Sequence, residues 1–540
     1  MSEAQTSPAL PAGYVQRVLP AGAARETRWV LITVALVLVL SAFVVSWQRH
    51  MQQEMSLQTH QIDLATGLSA AEQGIYTDLQ AVFDEWRSLG GALPPPAPQW
   101  WADEGWPPFD ADLAAQRRGS RQWRVVQAEG LYAYLGVAAA SDESAATHRP
   151  MLWRLPNLKG AKTQDAESRF DVWLRTGPDA APEPAGLHDD DLIAHGWQQV
   201  AAHASDVKPK PDPPAPPPLA PPHTLHSPSS PLPSSLTFNR RQALLAAAAL
   251  AASAALPGRP ARAAGKLKVG ITLHPYYSFV SNIAQDRAEV LPFIDAGFNP
   301  HAYEPRSEDI KRIGQMDVAV LNAVGHDDFA QRMIAASEKP RLPVINANAD
   351  VPLLSAMALG TPQGRAVNAH TFISISASMI QVGTIARGLG GISPENAQFF
   401  EDNARAYNRR LRKLRADALA RVKQGPAAHF RVATIHGAYD YLLREFGLEV
   451  SAVVEPAHGM EPSASQLKSM VERLRAQDIR VLFAEQDNPT GFVHTLVRET
   501  GVRVYPLTHI SHGPYTADKF EKDMAHNLDT VVRAIEESRA

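Results

Sequence analysis

Four histidines, far apart in the sequence, are the residues best suited to chemistry. They are His301, His370, His436 and His509. Each lies near the end of an apolar stretch or in the loop that follows one, which is where open α/β sheets place their ligands. Imidazole suits Zn²⁺, and three or four imidazoles from separate loops can complete a tetrahedral shell. The residue types therefore indicate a metal site, although spacing alone does not join residues more than 60 positions apart.

Composition narrows the kinds of site that are possible. The chain has 540 residues and no cysteine, which excludes disulfides, thiolate metal ligands and cysteine nucleophiles. A metal must therefore be held by His, Asp, Glu or water. The net charge of -4 gives no reason to expect nucleic acid as a partner.

The second half of the chain alternates short apolar runs with helical stretches. This alternation is typical of βα units and parallel sheets. The predicted strands are Leu267–Leu273, Asp317–Asn322, Pro343–Asn346, Val432–Ile435, Val450–Val454, Val481–Ala484 and Val502–Tyr505.

One long helix is predicted between the two groups of strands. Ser393 is a suitable N-cap, and Gly425 ends the helical pattern. At 1.5 Å per residue, a helix of ~30 residues spans ~45 Å, which is longer than one small lobe needs. We therefore predict an α/β fold with two lobes, 265–392 and 425–540, which are joined by a backbone helix at 393–424 and separated by a cleft.

Six short motifs follow one another through this half: Asn299–Ile310, Pro394–Tyr407, His436–Tyr441, Glu461–Ser465, Phe483–Glu485 and Met524–Asp529. The first reads Asn-Pro-His-Ala-Tyr-Glu-Pro, close to a family pattern Asp-Pro-His-x-Tyr-Glu-Pro. In types and order, the motifs resemble the zinc- and manganese-binding substrate-binding proteins of ABC importers, the zinc-uptake and TroA-like family. The resemblance spans residues 266–540.

The resemblance implies a ligand set. His301 and His370 match the family's first two ligands, and His436 matches a third that is His in zinc-selective members and Glu in manganese-selective ones. His509 is the nearest match to the fourth, with Glu485 or a water as alternatives. Because imidazole suits Zn²⁺ and a harder carboxylate suits Mn²⁺, the set favours zinc.

The function implied by the family is capture of Zn²⁺ as a transported ligand, with Mn²⁺ less suited, and its delivery to the permease of an ABC importer. We expect a monomeric, periplasmic binding unit that is not an enzyme. Imidazoles must be neutral to bind metal, so affinity should fall below about pH 6. Of the other histidines, His274 is interpreted as a structural residue or one that supports a metal ligand, and His326, His458 and His494 as ordinary.

Two other functions stay open on the sequence alone. A zinc hydrolase needs an open metal position beside a general base, and Glu485 next to three histidines could supply one. Neither a His-Glu-x-x-His nor a Gly-x-Ser-x-Gly motif occurs. A membrane-tethered scaffold or zinc-responsive sensor would also be consistent with the N-terminal half.

The start of the chain predicts a membrane anchor. Trp29–Trp47 is a run of 19 uncharged, mostly apolar residues, about the length that crosses a ~30 Å hydrocarbon core. Arg17, Arg25 and Arg28 precede it, so the positive-inside rule places 1–28 in the cytoplasm. We expect the remainder to be periplasmic and anchored to the inner membrane of a bacterium.

Residues 50–205 predict a small extracytoplasmic α+β domain. Helical spacing covers Thr59–Leu89, and short strands are predicted at Trp123–Gln127 and Leu131–Val137. The chain's ten tryptophans all occur at or before Trp197, and we interpret those near residue 100 as part of a small aromatic core. Together with the anchor, this domain resembles small single-pass proteins of unknown function that accompany bacterial zinc-uptake systems.

A linker and a signal-like segment join the two halves. Residues 206–238 contain twelve prolines between Pro209 and Pro233, which predicts a semi-extended spacer. Residues 239–264 start with Asn-Arg-Arg, continue through an Ala/Leu run and end in Ala-Arg-Ala, an order that resembles a twin-arginine export signal. Cleavage there would release the C-terminal part.

Overall fold

The computed structural model describes residues 57–138, 148–157, 170–176, 184–201, 266–296, 298, 303–354, 367–422, 431–455, 462–486 and 491–538. The predicted anchor at 29–47, the linker at 206–238, the signal-like segment at 239–264 and His301 lie outside the described residues. Among the helices of the described ranges, none combines the length and the apolar character needed to span a membrane.

The N-terminal domain is built on a six-stranded sheet in the order β1-β6-β5-β4-β3-β2. The strands are β1 (Gln61–Asp63), β2 (Arg121–Ala128), β3 (Leu131–Ala138), β4 (Met151–Leu155), β5 (Asp171–Arg175) and β6 (Trp197–Ala201). β1 pairs in parallel with β6, and the other neighbours are antiparallel. Only β2 and β3 were predicted, because the other strands have five residues or fewer.

Helices of the N-terminal domain cover this sheet. They are α1 (Leu64–Gly67), α2 (Ala70–Ser88), α3 (Pro98–Asp103), α4 (Leu113–Arg117) and α5 (Asp189–Ala194). The helix predicted over Thr59–Leu89 is divided, because Ser69 and Glu72 form a capping box that begins α2. Trp101 and Trp106 are buried in the aromatic core, whereas Trp100 is 42% exposed.

The C-terminal domain has two four-stranded sheets, and both are parallel throughout. The first has the order β10-β9-β7-β8 and the second β12-β11-β13-β14. The strands are β7 (Leu267–Ile271), β8 (Ala288–Pro292), β9 (Val318–Leu321), β10 (Val344–Asn346), β11 (Arg431–Thr434), β12 (Val450–Val453), β13 (Ile479–Glu485) and β14 (Arg503–Leu507). The predicted two-lobed α/β class is confirmed, and each predicted strand is present. The edge strand β8 was not predicted.

The helices of this domain are α6 (His274–Ala284), α7 (Ser307–Ile313), α8 (Asp328–Ala336), α9 (Ile375–Ile392), α10 (Ala397–Val422), α11 (Asp440–Glu445), α12 (Ala464–Ala476), α13 (Gly491–Thr500) and α14 (Lys519–Glu537). The 26-residue helix α10 lies between the two sheets in the sequence and follows a 3-10 turn at Pro394–Asn396. It packs against α9, α6 and α14, so it contacts helices that border both lobes.

The N-terminal domain packs directly against the C-terminal domain. The described residues of both domains, from Thr59 onward, belong to one compact unit. Helix α2 contacts α9 and α11, and α4 contacts α10. Buried apolar residues from both domains form one continuous cluster.

His274, at the start of α6, is a structural residue. It is 1% exposed, and its Nε2 lies 2.8 Å from the carbonyl oxygen of Gly513. Its ring stacks on Tyr515 with 4.0 Å between the ring centroids. Burial lowers the pKa of His274 to about 4, and the charges of Lys519 and His512 act in the same direction. The imidazole is therefore neutral at pH 7.

Acidification should destabilise the fold through His274. The pKa is about 6.5 in an unfolded chain and about 4 in the folded one, so between these values only the unfolded chain takes up the proton. The free energy of unfolding should fall by about 2 kcal/mol from this residue between pH 7.5 and pH 5.0. Urea unfolding of the metal-free full chain measures it. His274→Gln should lack this part of the pH dependence, and an identical pH dependence in both proteins would contradict the assignment.

Candidate metal centre

Three of the predicted histidines, one from the first lobe and two from the second, lie close together. His436 lies two residues after β11, His509 two residues after β14, and His370 in the segment that leads to α9. All three are buried. The ring centroid of His370 lies 4.8 Å from that of His436 and 5.0 Å from that of His509. Residues 66 or more apart in sequence therefore share one site, while His301 lies outside the described residues.

The contact between His370 and His436 has the dimensions of a metal site. Their two Nε2 atoms are 3.2 Å apart. Zinc bonds to imidazole nitrogen at about 2.0–2.1 Å, so a tetrahedral ion holds two such nitrogens roughly 3.3–3.4 Å apart. The two rings fit that geometry with almost no movement.

His326, which the sequence analysis interpreted as an ordinary histidine, also lies in this cluster. It is 4% exposed and lies on the loop after β9. Candidate ligand atoms of His326, His370 and His509 all lie within 4.8 Å of one another, and the same holds for His436, Glu485 and His509. The sequence could have indicated His326 by its position after a predicted strand, which is the criterion that selected the other histidines.

Asn368 fixes the orientation of His370. Its amide nitrogen donates to the carbonyl oxygen of Gly437 at 2.8 Å, which turns its Oδ1 towards the histidine. That oxygen lies 3.0 Å from Nδ1 of His370 and therefore accepts the Nδ1 proton. Nε2 of His370 is left with its lone pair directed into the cluster, as a metal ligand requires.

The Nδ1 atoms of the other two rings also face polar groups. Nδ1 of His509 lies 3.1 Å from the hydroxyl oxygen of Ser511. Nδ1 of His436 lies 3.9 Å from a carboxylate oxygen of the buried Glu455. In both rings the partner faces Nδ1, which favours Nε2 as the metal-binding atom.

Buried polar groups hold the loop that carries His326. Asp327 accepts hydrogen bonds from the hydroxyl of Thr272 at 2.5 Å and from the backbone N–H groups of Asn322 and Ala323 at 2.6 and 2.9 Å. Burial raises the pKa of Asp327, and these hydrogen bonds oppose that shift. Asn322 also donates to the carbonyl oxygen of Ala369 at 3.0 Å, which ties this loop to the segment of His370.

Phe372 forms an apolar wall beside the rings. Its ring centroid is 5.1 Å from that of His326 and 5.9 Å from that of His509. A buried cluster of imidazoles against such a wall can surround a soft or borderline divalent cation and limit its access to water.

Two family models match the chain. Residues 269–534 match "ZnuA: Zinc-uptake complex component A periplasmic". Residues 62–205 match a family of unknown function, DUF6162. The second match covers most of the N-terminal domain and assigns it no activity.

Individual relatives agree with the first match. The metal ABC transporter substrate-binding lipoprotein FimA of Streptococcus parasanguinis is 25% identical over 288 residues, which are 52% of this chain and 92% of FimA. The zinc-binding lipoprotein AdcA of Streptococcus pneumoniae is 27% identical over 260 residues, 45% of this chain and 50% of AdcA. Among solved structures, FpvC from Pseudomonas aeruginosa in complex with Mn²⁺ is 66% identical, covers 51% of this chain and 99% of its own, and has a TM-score of 0.49.

These relatives are substrate-binding proteins of ABC transporters and not enzymes. The C-terminal part of the chain is accordingly a metal-binding substrate-binding protein of the ZnuA and TroA family, and it follows a DUF6162 domain.

Proposed function

We propose that this chain captures Zn²⁺ in the cleft between its lobes and delivers it to the permease of an ABC importer in the periplasm. The observation that carries the proposal is the convergence of His326, His370, His436 and His509 at one buried place. These four imidazoles come from separate segments of the chain, and one divalent cation can bind a neutral nitrogen from each of several such rings.

The proposed ligands are His370, His436 and His509, with His301 as the fourth. His370 belongs to the part of the chain before α10, and His436 and His509 to the part after it. Metal would therefore join the two lobes. His326 and Glu485 compete with His301 for the fourth position, because each lies within 4.8 Å of two of the other candidate ligands.

Zinc is proposed over manganese because of the donor set. The named relatives include both zinc-binding and manganese transport proteins, so sequence similarity alone does not identify the metal. A set of three or four imidazoles is softer than the carboxylate-rich sets that suit Mn²⁺, and it matches the tetrahedral preference of Zn²⁺.

Metal analysis of the purified full chain tests the proposal. After dialysis against equimolar Zn²⁺ and Mn²⁺, we expect one zinc per chain and little manganese. His494→Ala is a matched control, because this histidine is exposed on α13 and belongs to neither group of candidate ligands. Excess manganese, or no retained metal, would overturn the proposal.

Removing the hydrogen bond that orients His370 should weaken Zn²⁺ binding without removing a metal ligand. We expect Asn368→Ala to lower Zn²⁺ affinity by roughly ten- to a hundredfold, because the Nδ1 acceptor that orients the ring is lost. A competitive titration against a chromogenic chelator measures the change. Asn403→Ala is the control, since that amide donates to the carbonyl oxygen of Ile283 and not to any of the candidate ligands that the structure describes. Equal affinities in the two variants would contradict the role of Asn368.

A further inference from the structure

The surface of the C-terminal domain that meets the N-terminal domain is rich in arginine. The arginines lie on three helices: Arg387 on α9, Arg405, Arg412 and Arg415 on α10, and Arg444 on α11. Each contacts an acceptor of the N-terminal domain. Arg387 pairs with Asp84, Arg412 with Glu104 and Arg415 with Asp112. Arg405 donates to the carbonyl oxygen of Ser88, and Arg444 donates to the side chain of Gln73. Three of these five acceptors are carboxylates, so the two surfaces pair opposite charges at Arg387, Arg412 and Arg415.

Arg415 shows that this interface is buried and specific. It is 3% exposed, lies 3.5 Å from a carboxylate oxygen of Asp112, and lies 3.9 Å from one of Glu445. Burial disfavours its charge, but the carboxylates of Asp78, Asp112 and Glu445 outweigh that effect, so the pKa of Arg415 is raised. A buried guanidinium is tolerated only with such partners, and Asp78 and Asp112 come from the N-terminal domain.

One chain of polar contacts crosses from one lobe to the other through the N-terminal domain. The hydroxyl of Ser376, at the start of α9, donates to Asp78 at 3.0 Å. Asp78 also pairs with Arg118 at 2.5 Å, and Arg118 donates to the backbone carbonyl of Arg444 on α11. Asp78 and Arg118 therefore bridge the two helices.

The bridged helices are those that follow two of the candidate ligands. Ser376 lies six residues after His370, and α11 begins four residues after His436. Glu445, at the end of α11, accepts hydrogen bonds at 2.7 Å from the hydroxyl of Ser374 and from the backbone N–H of Ser376. The N-terminal domain thus covers the junction at which the lobes would separate.

We infer that the DUF6162 domain is a resident clamp of the metal-binding domain, which docks through the arginine–carboxylate interface and slows release of the bound metal. Metal leaves when the lobes part, and parting them requires breaking the contacts of Ser376 and Arg444 with the clamp. The effect on release builds on the proposed function, whereas docking itself does not depend on metal. A coupling of this kind typically changes the affinity for the ligand by 5- to 150-fold.

The test uses the full chain with a protease site inserted in the proline-rich segment 206–238. After cleavage, gel filtration shows whether the two parts stay together. The variant Asp84→Arg/Glu104→Arg places like charges against Arg387 and Arg412. Adding Arg387→Asp and Arg412→Glu restores opposite charges. Zn²⁺ release is followed in each sample with an excess of the chelator 4-(2-pyridylazo)resorcinol.

We expect the cleaved original chain to elute as a 1:1 complex and to release zinc as slowly as the uncut chain. The charge-reversed variant should separate after cleavage and release zinc at least about fivefold faster, and the restored variant should regain both properties. Separation of the cleaved original chain, or an unchanged release rate after separation, would overturn the clamp. Absence of zinc from every sample would instead count against the proposed function. Gel filtration would still test the docking of the two parts, because it detects their complex whether or not metal is bound.

Discussion

Replacing His370 by alanine is expected to weaken Zn²⁺ binding by the full chain by about a hundredfold or more. His370 is central to the cluster, since its Nε2 is 3.2 Å from that of His436 and its ring also faces His326 and His509. Structural zinc sites are worth about 10–16 kcal/mol in total, so one ligand of four contributes roughly 3 kcal/mol, which is more than a hundredfold in affinity. Competitive titration against a fluorescent chelator measures the difference.

The control is His494→Ala, which removes an imidazole without touching the cluster and should leave the affinity unchanged. His326→Ala tests whether His326 is one of the metal ligands. A loss as large as that of His370→Ala would place His326 among the ligands, and a small loss would leave the fourth position to His301 or Glu485. Unaltered binding in His370→Ala would show that zinc does not lie in this cleft.

The second large effect concerns stability. Arg415→Met should lower the free energy of unfolding of the metal-free full chain by about 3–5 kcal/mol, because the variant leaves buried carboxylates without their cation. Asp112 and Glu445 are the groups affected. Burial raises the pKa of both carboxyls in the native chain, so they should protonate more readily once Arg415 is gone. The loss should therefore be smaller at pH 5 than at pH 7.5.

Lys413→Met is the matched control for this substitution. Lys413 lies on the same helix, but its side chain is 74% exposed and its partner Asp417 is an exposed neighbour at i+4. Such a surface pair contributes about 0.3–0.5 kcal/mol. Urea unfolding at both pH values gives the comparison. Similar losses in the two variants would show that the interface charges contribute little to stability.

Local pattern was enough to predict the parallel sheets of the C-terminal domain. Short apolar runs such as Val481–Ala484 are bounded by helical segments, and the strands form close to the predicted residues. β8 was missed because Glu289 and Pro292 interrupt its apolar pattern, and it is an edge strand where such residues are tolerated. In the N-terminal domain, four strands of five residues or fewer carry too little periodicity to be recognised.

The candidate site was predictable only in part. His370, His436 and His509 were chosen by their positions after predicted strands and by resemblance to family motifs, and the fold brings them together. His326 was passed over because no motif marked it, although it also follows a strand. The interface between the domains could not be foreseen at all, since Arg415 and Asp112 are 303 residues apart and only folding brings them within 3.5 Å.

X-ray absorption at the zinc edge, on the full chain loaded with one equivalent of Zn²⁺, tests the central claim most directly. We expect nitrogen and oxygen neighbours at about 2.0–2.1 Å, with the outer-shell scattering of three or four imidazoles, and a reduced imidazole signal in His436→Ala. A spectrum with one imidazole or none, or one that is unchanged by His436→Ala, would contradict a zinc site built from these histidines.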